Sequence, residues 1–211
     1  MPSSPYDFWV LDLDGTLVDI KQAYIHEVFD RVGDRLGHQF DERAAERLWY
    51  GEGDARDRVL ADVDVSPARF WEVFHAVEDP QARAASTYLY DDAAATVPAI
   101  DEPVALVTHC QDYLTAPVLE RLDIADWFDA VVCCSDETGW KPDPAPVETA
   151  MAELGVGHNG HAGVLVGDDT VDVGAAVNAG LDPVHLRREG RAPQSREHPA
   201  RTVTTLTELD T

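Results

Sequence analysis

The chain alternates between short, continuous apolar runs and longer stretches with helical periodicity. The first run, Tyr6-Asp7-Phe8-Trp9-Val10-Leu11, ends in acids and a glycine. Val104-Ala105-Leu106-Val107 ends at Thr108, and Val164-Leu165-Val166 ends at Gly167-Asp168-Asp169. Runs this short and this apolar predict strands buried on both faces. Helical patterns around 111–121 and 170–179 follow the second and third, so the alternation reads as βαβ units and a parallel sheet. Ala130-Val131-Val132-Cys133 and Pro183-Val184-His185-Leu186 supply further strands. Ligands of such sheets bind beyond the carboxyl ends of the strands, where the polar residues that terminate these runs fall.

Between about 18 and 88 the pattern changes. No convincing strand is present, and helical stretches are predicted at 21–36, 41–49, 54–62, 67–77 and 80–87. This is a helical insertion, and it divides the chain into a core of 1–17 with 89–211 and an inserted unit of 18–88. The insertion's aromatic residues, among them Phe29, Trp49, Tyr50, Phe70, Trp71 and Phe74, are read as its own core, with room for one or two to line a substrate pocket. Residues 187–202 carry five arginines and little apolar content, look like an exposed connection before a short final element, and are assigned no function.

Charge narrows the choice of partners. Forty acidic against 16 basic residues give a formal net charge of −24, which makes nucleic acid an unsuitable partner. The acids are spread along the whole chain, as in a surface adapted to high salt, where repulsion is screened within about 3 Å at 1 M. No apolar run approaches the ~20 residues a membrane helix needs, and Met1-Pro2-Ser3-Ser4-Pro5 lacks signal-peptide character. A cytoplasmic protein, monomeric or homodimeric, is expected. Cys110, Cys133 and Cys134 have neither a disulfide nor a zinc spacing and are read as reduced thiols, and the pair His158 and His161 as part of a solvated loop.

The strand ends carry the groups that attack on a phosphate monoester requires. Asp12 can attack phosphorus and split one hard displacement into two easier ones. Asp14, two residues on, can protonate the leaving oxygen and then activate water. An anionic nucleophile meeting an anionic ester needs a cation, and Mg²⁺ prefers carboxylate oxygens. Asp12 and Asp168 are candidate ligands, the backbone carbonyl of Asp14 a third, and Asp169 and Asp172 either bind or orient the others. Lys141, one of only two lysines, sits in the stiff loop Trp140-Lys141-Pro142-Asp143-Pro144 before a helix starting near Pro146, where its ammonium can balance phosphate charge. The Thr108 hydroxyl can donate to a phosphate oxygen.

Asp12-Leu13-Asp14-Gly15-Thr16, Thr108, Lys141-Pro142-Asp143-Pro144 and Gly167-Asp168-Asp169 with Asp172, in this order, resemble the haloacid dehalogenase superfamily of phosphohydrolases. The resemblance implies an α/β fold, a Rossmann-like parallel sheet flanked by helices, with the insertion as a small α-helical cap. It implies Asp12 as nucleophile and Asp14 as general acid/base. It further implies Thr108, His109 and Lys141 as phosphate-binding residues, and Asp12, Asp14, Asp168 and Asp169 as the magnesium site. The implied subgroup is the phosphoglycolate phosphatase-like one, which hydrolyses small phosphorylated metabolites. His109 stands where many relatives have asparagine, and Ile20 where many have serine or threonine, so a named substrate transfers less securely than the chemistry.

Other readings are weaker. A 2-haloacid dehalogenase needs neither metal nor an acid for the leaving halide, which leaves Asp14 and the acidic fourth motif without a task. A phosphosugar mutase would add a proton-transferring cap residue, and His26 lies about two residues past the position such members use. A dinucleotide-binding enzyme needs a glycine-rich turn that Asp14-Gly15-Thr16 does not provide.

Overall fold

The computed structural model describes residues 4–51, 53–157, 160–188, 200–209 and 211. His158 and residues 189–199 of the arginine-rich connection lie outside them.

Strand β1 (Phe8–Leu11) leads into a tight turn and a three-residue strand, β2 (Val18–Ile20). Five helices follow: α1 (Gln22–Leu36), α2 (Glu42–Tyr50), α3 (Gly53–Asp62), α4 (Pro67–Val77) and α5 (Pro80–Ser86). The chain returns through β3 (Thr87–Leu89) and α6 (Asp91–Thr96) to β4 (Val104–Thr108), α7 (Asp112–Leu122) and β5 (Ala130–Cys133). Then come α8 (Ala145–Glu153), β6 (Gly163–Gly167), α9 (Thr170–Asn178), β7 (Asp182–Leu186) and β8 (Arg201–Val203). Six strands form one sheet in the order β5-β4-β1-β6-β7-β8, parallel throughout, while β2 and β3 make a separate two-stranded sheet.

The apolar runs become strands because both faces of the sheet are covered. Trp9, Leu11, Leu106, Val164 and Val166 face one apolar cluster, and Phe8, Val10, Ala105, Val107 and Leu165 face another. Successive residues therefore alternate between two interiors, which is why the sequence shows no polar phase within these strands. The chain runs from β1 outward through β4 and β5, then crosses to β6 on the other side of β1. That reversal leaves a crevice at the carboxyl ends of β4, β1 and β6.

The chain divides into two compact units, one of Met1–Asp19 with Tyr88–Thr211 and one of Ile20–Thr87. The helical unit has its own core of Ile25, Val28, Phe29, Leu48, Leu60, Phe70 and Phe74. The rings of Phe29 and Phe70 stack at 6.2 Å. Helices α2, α4 and α5 start where Asp41, Ser66 and Asp79 accept backbone N–H groups at the N-cap, a polar signal readable in sequence.

Three features correct the sequence reading. Residues Val18–Ile20 of the supposedly strand-free insertion form β2, and Thr87, read as the end of a helix, opens β3 with Tyr88 and Leu89; each has three residues, too few to reveal a period, and is defined by the other. Helix α6 has only six residues and three alanines, so its pattern carries little signal. The connection after β7 is not wholly exposed, because Arg188 is nearly buried and Arg201–Val203 adds a sixth parallel strand. No helix among the described residues is long and apolar enough to cross a membrane.

Candidate active site

The three central strands end side by side, β4 at Thr108, β1 just before Asp12 and β6 at Gly167, just before Asp168. The Asp12 N–H donates to the Val166 carbonyl at 3.0 Å, so the strand pairing itself sets the position from which the carboxylate projects. Asp12 is 7% exposed, and one oxygen each of Asp12, Asp168 and Asp172 lie within 4.8 Å of one another.

Lys141 reaches this cluster from the loop between β5 and α8. Its ammonium is buried and donates to Asp12 Oδ1 at 2.7 Å and to the Val107 carbonyl at 2.9 Å. It also lies 2.6 Å from Asp172 Oδ1. The ammonium's donors thus meet two carboxylates and a strand-end carbonyl, which together orient it.

Asp172 is positioned by the start of α9. Its Oδ2 accepts the Asp169 N–H at 3.0 Å, while Asp169 Oδ1 accepts the Val171 N–H at 3.1 Å, a reciprocal capping box. Gly167 makes room for this, since a Cβ there would stand 2.3 Å from the Asp172 carboxyl carbon. Asp169 Oδ1 is therefore engaged at the helix start, and it is Asp172 whose carboxylate oxygen joins Asp12 and Asp168. His185 of β7 approaches the Asp168 carbonyl at 3.1 Å through Nε2, bracing the backbone beside that acid.

Thr108 is 1% exposed, and its Oγ1 accepts the Cys110 N–H at 3.0 Å, leaving its own hydrogen to donate. His109 is exposed beside it, with its ring edge-on to Trp140 at 5.6 Å. Asp14 is half-buried in the turn after β1. The three cysteines form no disulfide, and burial pushes the Cys134 thiol up despite Lys141 nearby, which suits an inert side chain.

The electrostatics are unbalanced. Burial, then the Asp172 and Asp14 carboxylates, push Asp12 up to about 7 against the pull of Lys141. Burial works against charge on Lys141 too, but Asp12 and Asp172 overcome it and hold the ammonium above its ordinary value. Among the described residues one ammonium thus faces a cluster of three carboxylates. A hard divalent cation fits this all-oxygen donor set, and its charge would pull Asp12 back down.

The family model for haloacid dehalogenase-like hydrolases matches residues 9–185, and the chain belongs to that family of enzymes. A phosphoglycolate phosphatase of Escherichia coli is 31% identical over 203 residues, covering 83% of this chain and 79% of that protein. Among solved structures, a HAD family hydrolase from Deinococcus radiodurans with bound phosphate and sodium superimposes with TM-score 0.68 at 22% identity, covering 98% of this chain and 94% of that one. A HAD phosphatase from Thermococcus onnurineus gives TM-score 0.68 at 22% identity, covering 96% and 95%.

Sequence reasoning singled out Asp12, Thr108, Lys141 and Asp168 at strand ends and in the Pro-rich loop. It left Asp172 between two roles, and it missed the Val107 carbonyl, His185 and Arg188. The spacing of Asp169 and Asp172 is a capping-box signal that could have separated helix start from charge cluster. Nothing local marks His185 or Arg188, whose partners lie 17 and 173 residues away.

Proposed function

We propose that the enzyme is a Mg²⁺-dependent phosphatase that hydrolyses a small phosphorylated metabolite, of the phosphoglycolate or sugar phosphate type, through an aspartyl-phosphate on Asp12. The observation that carries this reading is the buried Lys141 ammonium between Asp12 and Asp172, in a carboxylate cluster whose surplus charge calls for a cation. The 31% identity to a phosphoglycolate phosphatase over most of both chains supports the substrate class.

In this reading an Asp12 oxygen attacks phosphorus and the bond to the ester oxygen breaks. Asp14 gives its proton to the departing alkoxide, so the product leaves as an alcohol. Asp14 then takes a proton from water as that water attacks the same phosphorus, releasing inorganic phosphate and the free Asp12 carboxylate. Lys141 and the Thr108 hydroxyl bind the phosphoryl oxygens, with His109 at the edge of the same site. Asp12 and Asp168 would hold Mg²⁺, with the Asp14 backbone carbonyl; Asp169 steadies the start of α9 or would supply a further oxygen, and Asp172 anchors Lys141. The metal would neutralise charge on nucleophile and phosphoryl group as they approach.

The test is phosphate release from a panel of small phosphomonoesters with and without Mg²⁺, for wild type and Asp12→Asn. Metal-dependent release by wild type, lost in the variant, is expected. Equal release by both would remove the covalent mechanism, turnover of a 2-haloacid without metal would favour a dehalogenase, and interconversion of sugar phosphates would favour a mutase.

A further inference from the structure

Arg188 follows β7 in the arginine-rich connection, yet only 11% of its side chain is exposed. Its Nε–H donates to the Gly15 carbonyl at 3.1 Å and its Nη2 to the Thr16 carbonyl at 2.5 Å. Nη1 donates to Asp92 Oδ2 at 3.1 Å, and Nη2 lies 3.0 Å from Asp92 Oδ1. The guanidinium covers the Tyr90 ring at 3.6 Å from its centroid, and the Tyr90 hydroxyl donates to Asp19 at 2.6 Å. All these residues belong to the same compact unit.

Gly15 and Thr16 form the turn by which the chain leaves Asp12 and Asp14. Gly15 has φ of +89°, its N–H donates to the Val18 carbonyl at 2.7 Å, and the Thr16 N–H donates to the Leu13 carbonyl at 3.3 Å. Both residues are buried, so water is not at hand to replace Arg188 at their carbonyls. A planar fork with five N–H donors can hold two successive carbonyls and both oxygens of a carboxylate at once, four contacts where an ammonium has three donors. Asp92 is itself fixed from behind, accepting the Leu206 N–H at 2.8 Å and the Thr205 hydroxyl at 3.0 Å. A chain of contacts therefore runs from the C-terminal segment through Asp92 and Arg188 to the turn that presents Asp14.

We propose that Arg188 is a positioning residue for the proton-transferring carboxyl: by holding the Gly15 and Thr16 carbonyls it sets where Asp14 stands relative to the leaving oxygen. This rests on the reading of Asp14 as general acid/base. Arg188 touches neither phosphate nor Asp14's proton, and its effect passes through the backbone of the turn.

A loss of acid positioning is felt by esters whose leaving group needs a proton and is little felt by those whose leaving group does not. The experiment compares kcat/KM, which covers steps up to departure of the first product, for 2-phosphoglycolate (or the best alkyl ester of the panel) and for p-nitrophenyl phosphate. Wild type, Arg188→Met, Arg188→Lys, Asp92→Asn and Asp14→Asn are measured with Mg²⁺, together with their Tm. Arg188→Met is expected to lose roughly 10–100-fold on the alkyl ester and about threefold or less on the nitrophenyl ester. Arg188→Lys recovers part of that loss, and Asp92→Asn shows the same split at smaller size without removing the guanidinium. Equal losses on both esters in step with a fall in Tm, or no loss on either, overturn the proposal. If Asp14→Asn itself shows no split, the acid/base reading has failed and the proposal with it; a split there beside even losses at Arg188 and Asp92 overturns the proposal alone.

Discussion

Each unit of the molecule buries an ionic centre, and the two are balanced differently. In the helical unit Arg83 lies 3.7 Å from Glu78, with side chains 6% and 4% exposed, a buried pair of opposite charges among the described residues. The guanidinium sits over Trp49 at 5.0 Å, and the Tyr24 hydroxyl donates to Glu78 at 3.4 Å. At the strand ends of the other unit, the Lys141 ammonium faces a cluster of three carboxylates. A balanced buried pair fixes packing and asks for nothing further, whereas a surplus of buried negative charge is stable only with a cation or protons to offset it. The imbalance separates a centre built to bind from one built to hold.

The largest expected effect lies at the unbalanced centre. Asp12→Asn removes the proposed nucleophile and is expected to lower kcat by about 10⁴-fold or more while the protein still unfolds cooperatively, as read by phosphate release and a melting curve. Retained turnover would mean that the cluster does not perform the chemistry. At the balanced centre the expected loss is in stability. Arg83→Met removes the cation 3.7 Å from the buried Glu78 and should cost about 3–5 kcal/mol, while Arg83→Met with Glu78→Gln should cost much less, both measured by denaturant unfolding. Additive losses would show that the two charges do not depend on one another.

Metal should distinguish the centres directly. At Mg²⁺ a hundredfold above its Kd, wild type should gain about 2.7 kcal/mol, roughly 5–10 °C in Tm for a chain of this size, and Asp168→Asn should lose most of that gain. An equal rise in both would put the ion elsewhere.

The smallest effect concerns the Asp92–Arg188 pair. Burial alone would raise Asp92, but hydrogen bonds from Arg188, the Leu206 N–H and Thr205 outweigh it and hold the carboxyl below its ordinary value. Because the folded value lies below the unfolded one, this group's stabilisation is complete above about pH 4 and is lost as pH falls through the folded value. Melting curves between pH 5 and pH 2 should therefore fall less steeply for Asp92→Asn than for wild type. Parallel curves would show that Asp92 gains nothing from its partners.

The strands and most helices were legible because their signals are local. Phe8–Leu11, Val104–Thr108 and Gly163–Gly167 are apolar throughout, and the N-caps Asp41, Ser66 and Asp79 stand next to periodic runs. The short elements β2, α6 and β8 were not, because three to six residues hold too little period to stand above neighbouring loops. The residues proposed for catalysis were named from chemistry at strand ends, but the sequence left Asp169 and Asp172 undivided between cap and charge cluster.

By itself the sequence determined the alternation of strands and helices and the identity of the groups at strand ends, since both follow from side-chain sterics and burial over a few residues. Only the tertiary structure decided that Lys141 meets Asp12 across 129 residues and that Arg188 meets Gly15 across 173. Those pairings depend on the order in which β5, β4, β1, β6 and β7 lie in the sheet. That order is fixed by how the apolar faces pack together, which no short stretch of sequence records.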